Sequence, residues 1–384
     1  MKLANILFLI GVLMTPFYFF SSGGVQVADL FFMLSLLTVI TNRNNYLLKM
    51  GIKKAKYFSY LKVFIFWCFT VNIVYYLIWF DNKTLLASIY YLYNFSLIIL
   101  VFALYKFDNN LFLRKLFYTL ILSLIFVVFV GVFELDYLFA NKYVYRRAVT
   151  FNNPNQLGYW TLIVLALIFV IYRSIDFKFR FKNVLLLLLS IPMVFYLSMI
   201  SLSKASSVSI IMLISLFTFN KIKIVIPMMI IFTSLFYLIE FKEDNFIGKF
   251  NKRLNSIGQA NDDNFEGRNY DRIWIYPEYL FLGAGEGAVE QRFKKNNEIH
   301  STFGTIIFSY GIIGLFLFSL FLYKLFKRDI GVFITILLPV LAFGITHMGL
   351  RFKLFWVLFP LFEIYINRKN KLIINGRKRQ RKNS

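Results

Sequence analysis

Apolar residues in this chain run in long blocks, and polar residues collect in the gaps between them. Inside the blocks there is neither the alternation of a half-buried strand nor the single apolar stripe of a helix on a soluble core. Stretches such as 116–135 and 184–201 are apolar on every side. That pattern belongs to helices surrounded by lipid or by other helices. About 12 blocks are legible, at 3–20, 25–41, 60–80, 85–105, 116–135, 156–172, 184–201, 205–219, 224–239, 303–323, 330–347 and 354–367. The expected fold is all-α, a polytopic membrane bundle of about 12 transmembrane helices. Several blocks are short for a hydrocarbon layer about 30 Å thick, so tilted or re-entrant packing is expected. No small-residue cleavage site follows the first block, which reads as a span rather than a secretory signal.

Composition narrows the class. The 384 residues are 59% hydrophobic, 20% aromatic and only 16% charged. A soluble enzyme or a disordered chain carries more charge. Cys68 is the only cysteine, which excludes a disulfide scaffold. Two histidines without cysteine partners do not make a zinc site, and no metal site is expected.

The net charge of +24 has two readings, nucleic-acid binding or positive-inside topology, and the placement of the charges separates them. With Lys2 on the cytoplasmic side, the alternate segments 42–62, 106–115, 173–183, 220–223, 324–329 and 367–384 join it. Together they hold 27 of the 43 Lys and Arg but only three acids, Asp108, Asp176 and Asp329. Their balance equals the whole net charge, which puts both termini in the cytoplasm. The run from Arg368 to Lys382 then reads as an anchor on anionic membrane lipid rather than an RNA site, and no nucleic-acid partner is expected. The chain divides into spans one to nine (1–239), a large outer loop (240–302), spans ten to twelve (303–367) and a basic cytoplasmic tail (368–384). The outer loop holds 11 acids and 9 bases, and its length marks it as functional.

Cations on the outer side break the topological rule and ask for a reason. They are Arg146 and Arg147 before span six, Lys204 in a Ser-rich turn before span eight, Arg268 and Arg272 in the loop, and Arg351 before span twelve. Converging, they would make a pocket for a diphosphate, which suits the planar fork of Arg. The plainer alternative is snorkelling to lipid phosphates, or for Arg268 and Arg272 a solvated helix paired with Asp271 or Glu266. His300 ends the loop beside Glu298 and is placed to take a proton from a sugar hydroxyl, with Glu298 orienting it. A His that merely caps span ten is the alternative. His347 suits pocket lining or packing. Gly283-Ala284-Gly285-Glu286-Gly287 reads as a tight turn re-entering the membrane surface, with Glu286 as binding group or structural carboxylate. In Asn152-Asn153-Pro154-Asn155, the amides of Asn153 and Asn155 either meet sugar hydroxyls or cap span six.

Taken in order, these segments resemble the bacterial O-antigen polymerase and ligase family of membrane glycosyltransferases. Arg146/Arg147 followed by Phe151-Asn152-Asn153-Pro154-Asn155-Gln156-Leu157-Gly158 is similar to that family's Arg-…-Phe-x-x-Pro-Asn-x-x-Gly segment. Gly267-Arg268-…-Asp271-Arg272, the glycine cluster, Glu298-Ile299-His300-Ser301-Thr302 and Phe308-Ser309-Tyr310-Gly311 resemble its loop and following span. Two positions depart: Ser203-Lys204-Ala205 stands where Ser-Arg-Gly is common, and Ser301 where Asn often follows the His. The resemblance implies a GT-C-like fold and glycan transfer from undecaprenyl diphosphate at the periplasmic face of the inner membrane. It also implies no cofactor, no metal and no nucleotide sugar. His300, Arg268 and Arg272 would be catalytic; Arg146, Arg147, Asn153, Asn155, Lys204, Glu286, Glu298, His347 and Arg351 would bind the lipid-linked oligosaccharide donor and acceptor. The phrasing favours a polymerase, which commonly works with a chain-length regulator protein; a ligase acting on lipid A–core is the alternative. A flippase is the rival of another class, disfavoured because Asp29 and Glu363 lie near span ends rather than at the midplane.

Overall fold

A computed structural model describes residues 1–20, 24–41, 46–55, 58–80, 82–139, 146–175, 181–219, 230, 268–287 and 299–383. The described residues are helical, with no strand among them. The principal helices are α1 (Lys2–Met14), α2 (Val27–Ile40), α3 (Tyr46–Ala55), α4 (Ser59–Trp79), α5 (Asn82–Val132) and α6 (Pro154–Ser174). They continue with α7 (Phe181–Ser201), α8 (Lys204–Thr218), α9 (Thr302–Arg328), α10 (Leu338–Thr346) and α11 (Lys353–Asn383). Among the described residues, five helices are long and apolar enough to cross a membrane: α4, α5, α6, α7 from Lys182, and α9. Shorter apolar helices cover the first, second, eighth and eleventh expected spans. The ninth, at 224–239, lies outside the described residues apart from Ile230.

Local chemistry sets the helix starts. Asn153 caps α6 by accepting the Asn155 N–H at 2.8 Å, and Pro154 opens the first turn, where a missing N–H costs nothing. Ser301 caps α9 through the Gly304 N–H at 3.0 Å. Asp29 and Gln26 form a reciprocal capping box at the start of α2.

The expected fourth and fifth spans form one 51-residue element, α5, broken at Asn109 (φ 39°, ψ −111°). Neighbours show that the chain reverses there. The first half begins near Asp29, bonded by Tyr93, and reaches Arg368 at Tyr105. The second half leaves Asp108 at Asn5, near the start of α1, and has Ser123 on Leu13, near its end. Helix α11 runs on from the twelfth apolar block to Asn383, so the basic tail continues a helix. The ten-residue α3 lies within what read as a loop, packed on α5 through the approach of Gly51 to Ile99.

Helix α6 is the axis of the bundle. Nearly every side chain from Leu157 to Ile171 is buried, including Trp160 and Phe169. Helices α5, α7, α8, α10 and α11 pack around it. The outer faces of α1, α2, α4 and α5 carry exposed Leu3, Leu37, Phe66, Leu77 and Phe129. So continuous an apolar exterior is a liability in water and is compatible with lipid.

Candidate functional site

The glycine cluster is the hinge on which the site is assembled. Helix α9 is interrupted at Gly311 (φ 68°), which leaves carbonyls of the preceding turn without helical partners. The Ala284 and Gly285 N–H groups donate to the Phe308 and Ser309 carbonyls, both at 2.9 Å. The Ile312 N–H donates to Leu280 at 2.7 Å, and Trp67 Nε1 donates to the Tyr310 carbonyl at 2.8 Å. A Cβ at Gly283 or Gly311 would collide with the backbone of the other segment, and both residues have positive φ. Only glycine fits such an approach. The tight turn expected from the glycine cluster is present and packs on α9.

That turn buries Glu286, which is 2% exposed. Its Oε2 accepts Tyr91 Oη at 2.9 Å and Tyr310 Oη at 2.8 Å. Its Oε1 accepts Arg351 Nε at 2.9 Å and Nη2 at 2.8 Å. The Glu286 N–H donates to Asn72 at 2.9 Å, and Asn72 Nδ2 donates to Tyr310 Oη at 3.2 Å. Tyr91 and Asn72 were not singled out from sequence, and Tyr310 appeared only within a segment of the family resemblance. Their signal was there, as polar groups inside apolar spans. Along α5, Thr84, Ser88, Tyr91 and Asn94 are buried at helical spacing. Thr84 Oγ1, Ser88 Oγ and Asn94 Oδ1 have no hydrogen-bond partner among the described residues. Each such orphan costs about 1–3 kcal/mol.

The loop residues dock on the end of α10. Arg268 Nη1 donates to the Thr346 carbonyl, and Tyr270 Oη to the Ile345 carbonyl. The His300 N–H donates to the Arg268 carbonyl at 3.2 Å, and the His300 side chain is exposed. Thr302 donates its N–H and its hydroxyl to the His347 carbonyl at 3.1 and 3.0 Å. The Thr346 hydroxyl lies 2.9 Å from His347 Nδ1. Arg272 is fully buried and opens a single helical turn, Arg272–Ile275. Arg268 and Arg272 therefore do not share a helix face. Asn269, at φ 59°, turns the chain between them. On the flank of this turn Trp274, Ile275, Phe281 and Leu282 expose large apolar side chains.

A second group gathers at the starts of α6 and α8. Arg146 donates Nε to the Ser201 carbonyl at 3.1 Å and Nη2 to Asn155 Oδ1 at 2.5 Å. Lys204 is the first residue of α8, and Leu202 before it has φ 48°. Gly158 lets Ser206 approach, and Ser206 Oγ donates to its carbonyl at 2.8 Å. Asn153 acts as the α6 cap. Arg147 turns away from this group. Its Nε and Nη2 pair with both oxygens of Asp136 at 2.9 and 2.8 Å. Burial works against that charge, but Asp136, with Tyr196 and Glu134, more than offsets it and raises the Arg147 pKa. Val149, a β-branched residue at φ 54°, stores strain in the same segment.

Aromatic stacking joins the two groups. Tyr159 of α6 stacks on Phe343 at 4.6 Å, and Phe343 stacks on His347 at 4.5 Å. Arg146, Asn155, Lys204, Arg268, Arg272, His300, His347, Glu286 and Arg351 thus belong to one end of the bundle. Glu298 lies outside the described residues. The same end holds a further buried pair missed from sequence, in which Lys353 Nζ donates to Asp29 Oδ2 at 2.6 Å. No protein-family model matches this chain, and no curated protein matches it.

Proposed function

We propose that this chain is a membrane glycosyltransferase of the O-antigen polymerase type. It transfers a growing glycan from undecaprenyl diphosphate onto a lipid-linked repeat unit. The reading includes a GT-C-like bundle of about 12 spans in the inner membrane, both termini cytoplasmic and the site facing the periplasm. The observation that carries it is the docking of Arg268 and Tyr270 on the end of α10, which places His300, bonded to the Arg268 carbonyl, near His347. The sequence resemblance and the outer cations support it; the asymmetry of the basic residues supports the orientation.

In the proposed reaction an acceptor hydroxyl oxygen bonds to the anomeric carbon of the donor. The bond from that carbon to the diphosphate oxygen breaks, and its electron pair leaves with the diphosphate. His300, exposed where an acceptor can reach it, takes the hydroxyl proton. Arg268 and Arg272, with Arg146 and Lys204 across the aromatic stack, stabilise the charge gathering on the leaving group. The exposed apolar side chains of Trp274, Ile275, Phe281 and Leu282 support the reading, as a surface that suits a polyprenyl chain.

Deletion of the gene, followed by electrophoresis of cell lipopolysaccharide with a plasmid-borne copy as control, tests this. A core bearing a single repeat unit, with the ladder lost, is expected. Bare core with accumulated lipid-linked polymer indicates a ligase instead, and an unchanged ladder contradicts the assignment.

A further inference from the structure

We propose that the glycine turn is a latched cover over a polar groove on α5, and that the groove takes the hydroxyls of a sugar chain. Three observations carry this. First, Thr84, Ser88 and Asn94 line one face of the first half of α5, each at least nine-tenths buried, each with an unpartnered oxygen. A buried hydroxyl or amide oxygen without a protein partner is unfavourable, and three on one face suit a surface that takes a hydroxylated ligand. Second, the cover sits directly on this face. A Cβ at Gly287 would meet the Lys83 carbonyl and the Thr84 N–H, so the turn is pressed on the start of α5. Third, while backbone bonds from Ala284 and Gly285 tie the near side of the turn to α9, one side chain latches its far side. Glu286 is anchored to α5 by Tyr91, to α9 by Tyr310 and to the α10–α11 turn by Arg351. The carboxylate occupies the Arg351 guanidinium as a phosphate oxygen would.

Glu286 is therefore a positioning residue in the closed state. An anionic headgroup arriving at Arg351 competes with it, releases the turn and uncovers Thr84, Ser88 and Asn94. Hydroxyl and amide groups in a row, beside Tyr91, are the lining that polyhydroxylated chains require. The latch stands on geometry alone; the sugar occupant rests on the functional reading above.

The test is cysteine accessibility in native membranes, in a Cys68→Ala background. Ser88→Cys is labelled with a membrane-impermeant maleimide, with and without Glu286→Gln. The latch predicts slow labelling that rises by about tenfold or more in Glu286→Gln, the effect of losing a charge-assisted hydrogen bond. Leu97→Cys, on the same helix within the apolar core, is expected to stay slow in both. An unchanged Ser88→Cys rate overturns the latch. An equal rise at Leu97→Cys overturns it too, because it reports general loosening. For the occupant, Glu286→Gln membranes from cells making their lipid-linked repeat unit are compared with membranes from cells unable to attach its first sugar. Slower Ser88→Cys labelling in the former is expected, and equal rates overturn the sugar assignment. The lipopolysaccharide ladder, not this labelling, decides the functional reading, so the two failures are distinguishable.

Discussion

The two ends of the bundle treat charge differently. At the end carrying Arg368, ion pairs lie side by side near the surface: the Lys115 and Lys369 side chains are 44% and 43% exposed in their pairs with Asp108 and Asp329. Arg328 with the buried Glu363 is the exception there. At the end carrying Arg351, carboxylates are sunk into the helices. Glu286 and Asp29 are each 3% exposed in their pairs with Arg351 and Lys353. Exposed pairs contribute little energetically. Buried pairs are expensive to make and more so to break. A chain that keeps two of these three buried pairs at one end is holding side chains in place there.

Substitutions sharpen this contrast, beginning with the largest effect. Asp29→Ala leaves Lys353 buried beside no carboxylate, and a loss of about 3–5 kcal/mol is expected. Thermal aggregation in detergent measures it, and Lys353→Met added to Asp29→Ala is expected to restore much of the loss. Arg272→Ala is expected to lower turnover about 10²–10³-fold in a glycan-polymerisation assay, the scale of one lost transition-state donor. His300→Ala is expected to lower turnover about 10²-fold with donor KM nearly unchanged, because it removes a base and not a diphosphate contact. Activity near that of the unaltered protein would end the base assignment. Lys204→Arg is expected to stay within about threefold of normal turnover, since it supplies a fork of donors where a single ammonium stood. Lys369→Ala, in the exposed pair, is expected to move stability by less than about 1 kcal/mol.

Much of the helical frame was readable because apolar runs are long and unambiguous. Nearly all of the described apolar helices begin within a few residues of where hydropathy put them, and Asn153 and Pro154 announced the start of α6; at α9 the cap is Ser301 and not the expected alternative His300. Cover and core were not readable. The break at Gly311 falls inside a continuous apolar run, and nothing local says that the carbonyls before it serve Ala284 and Gly285. The partners of Glu286 lie up to 214 residues away in sequence, so no motif links them. Arg147 was grouped with the outer cations on position alone. Asp136, a short distance upstream, holds it in a bidentate pair. The spacing of Arg268 and Arg272 suggested one helix face, and a left-handed Asn269 intervenes. Helical spacing of Thr84, Ser88, Tyr91 and Asn94 was present in the sequence and went unused, because isolated small polar residues are unremarkable within membrane helices.

The most direct measurement is polymerisation by the purified protein in proteoliposomes supplied with lipid-linked repeat units from a deletion strain. The account predicts products of increasing length from the unaltered protein. It predicts almost none from Arg272→Ala or His300→Ala, at equal yield of folded protein. Chains of normal length from both variants would contradict the claim that the loop docked on α10 performs the transfer.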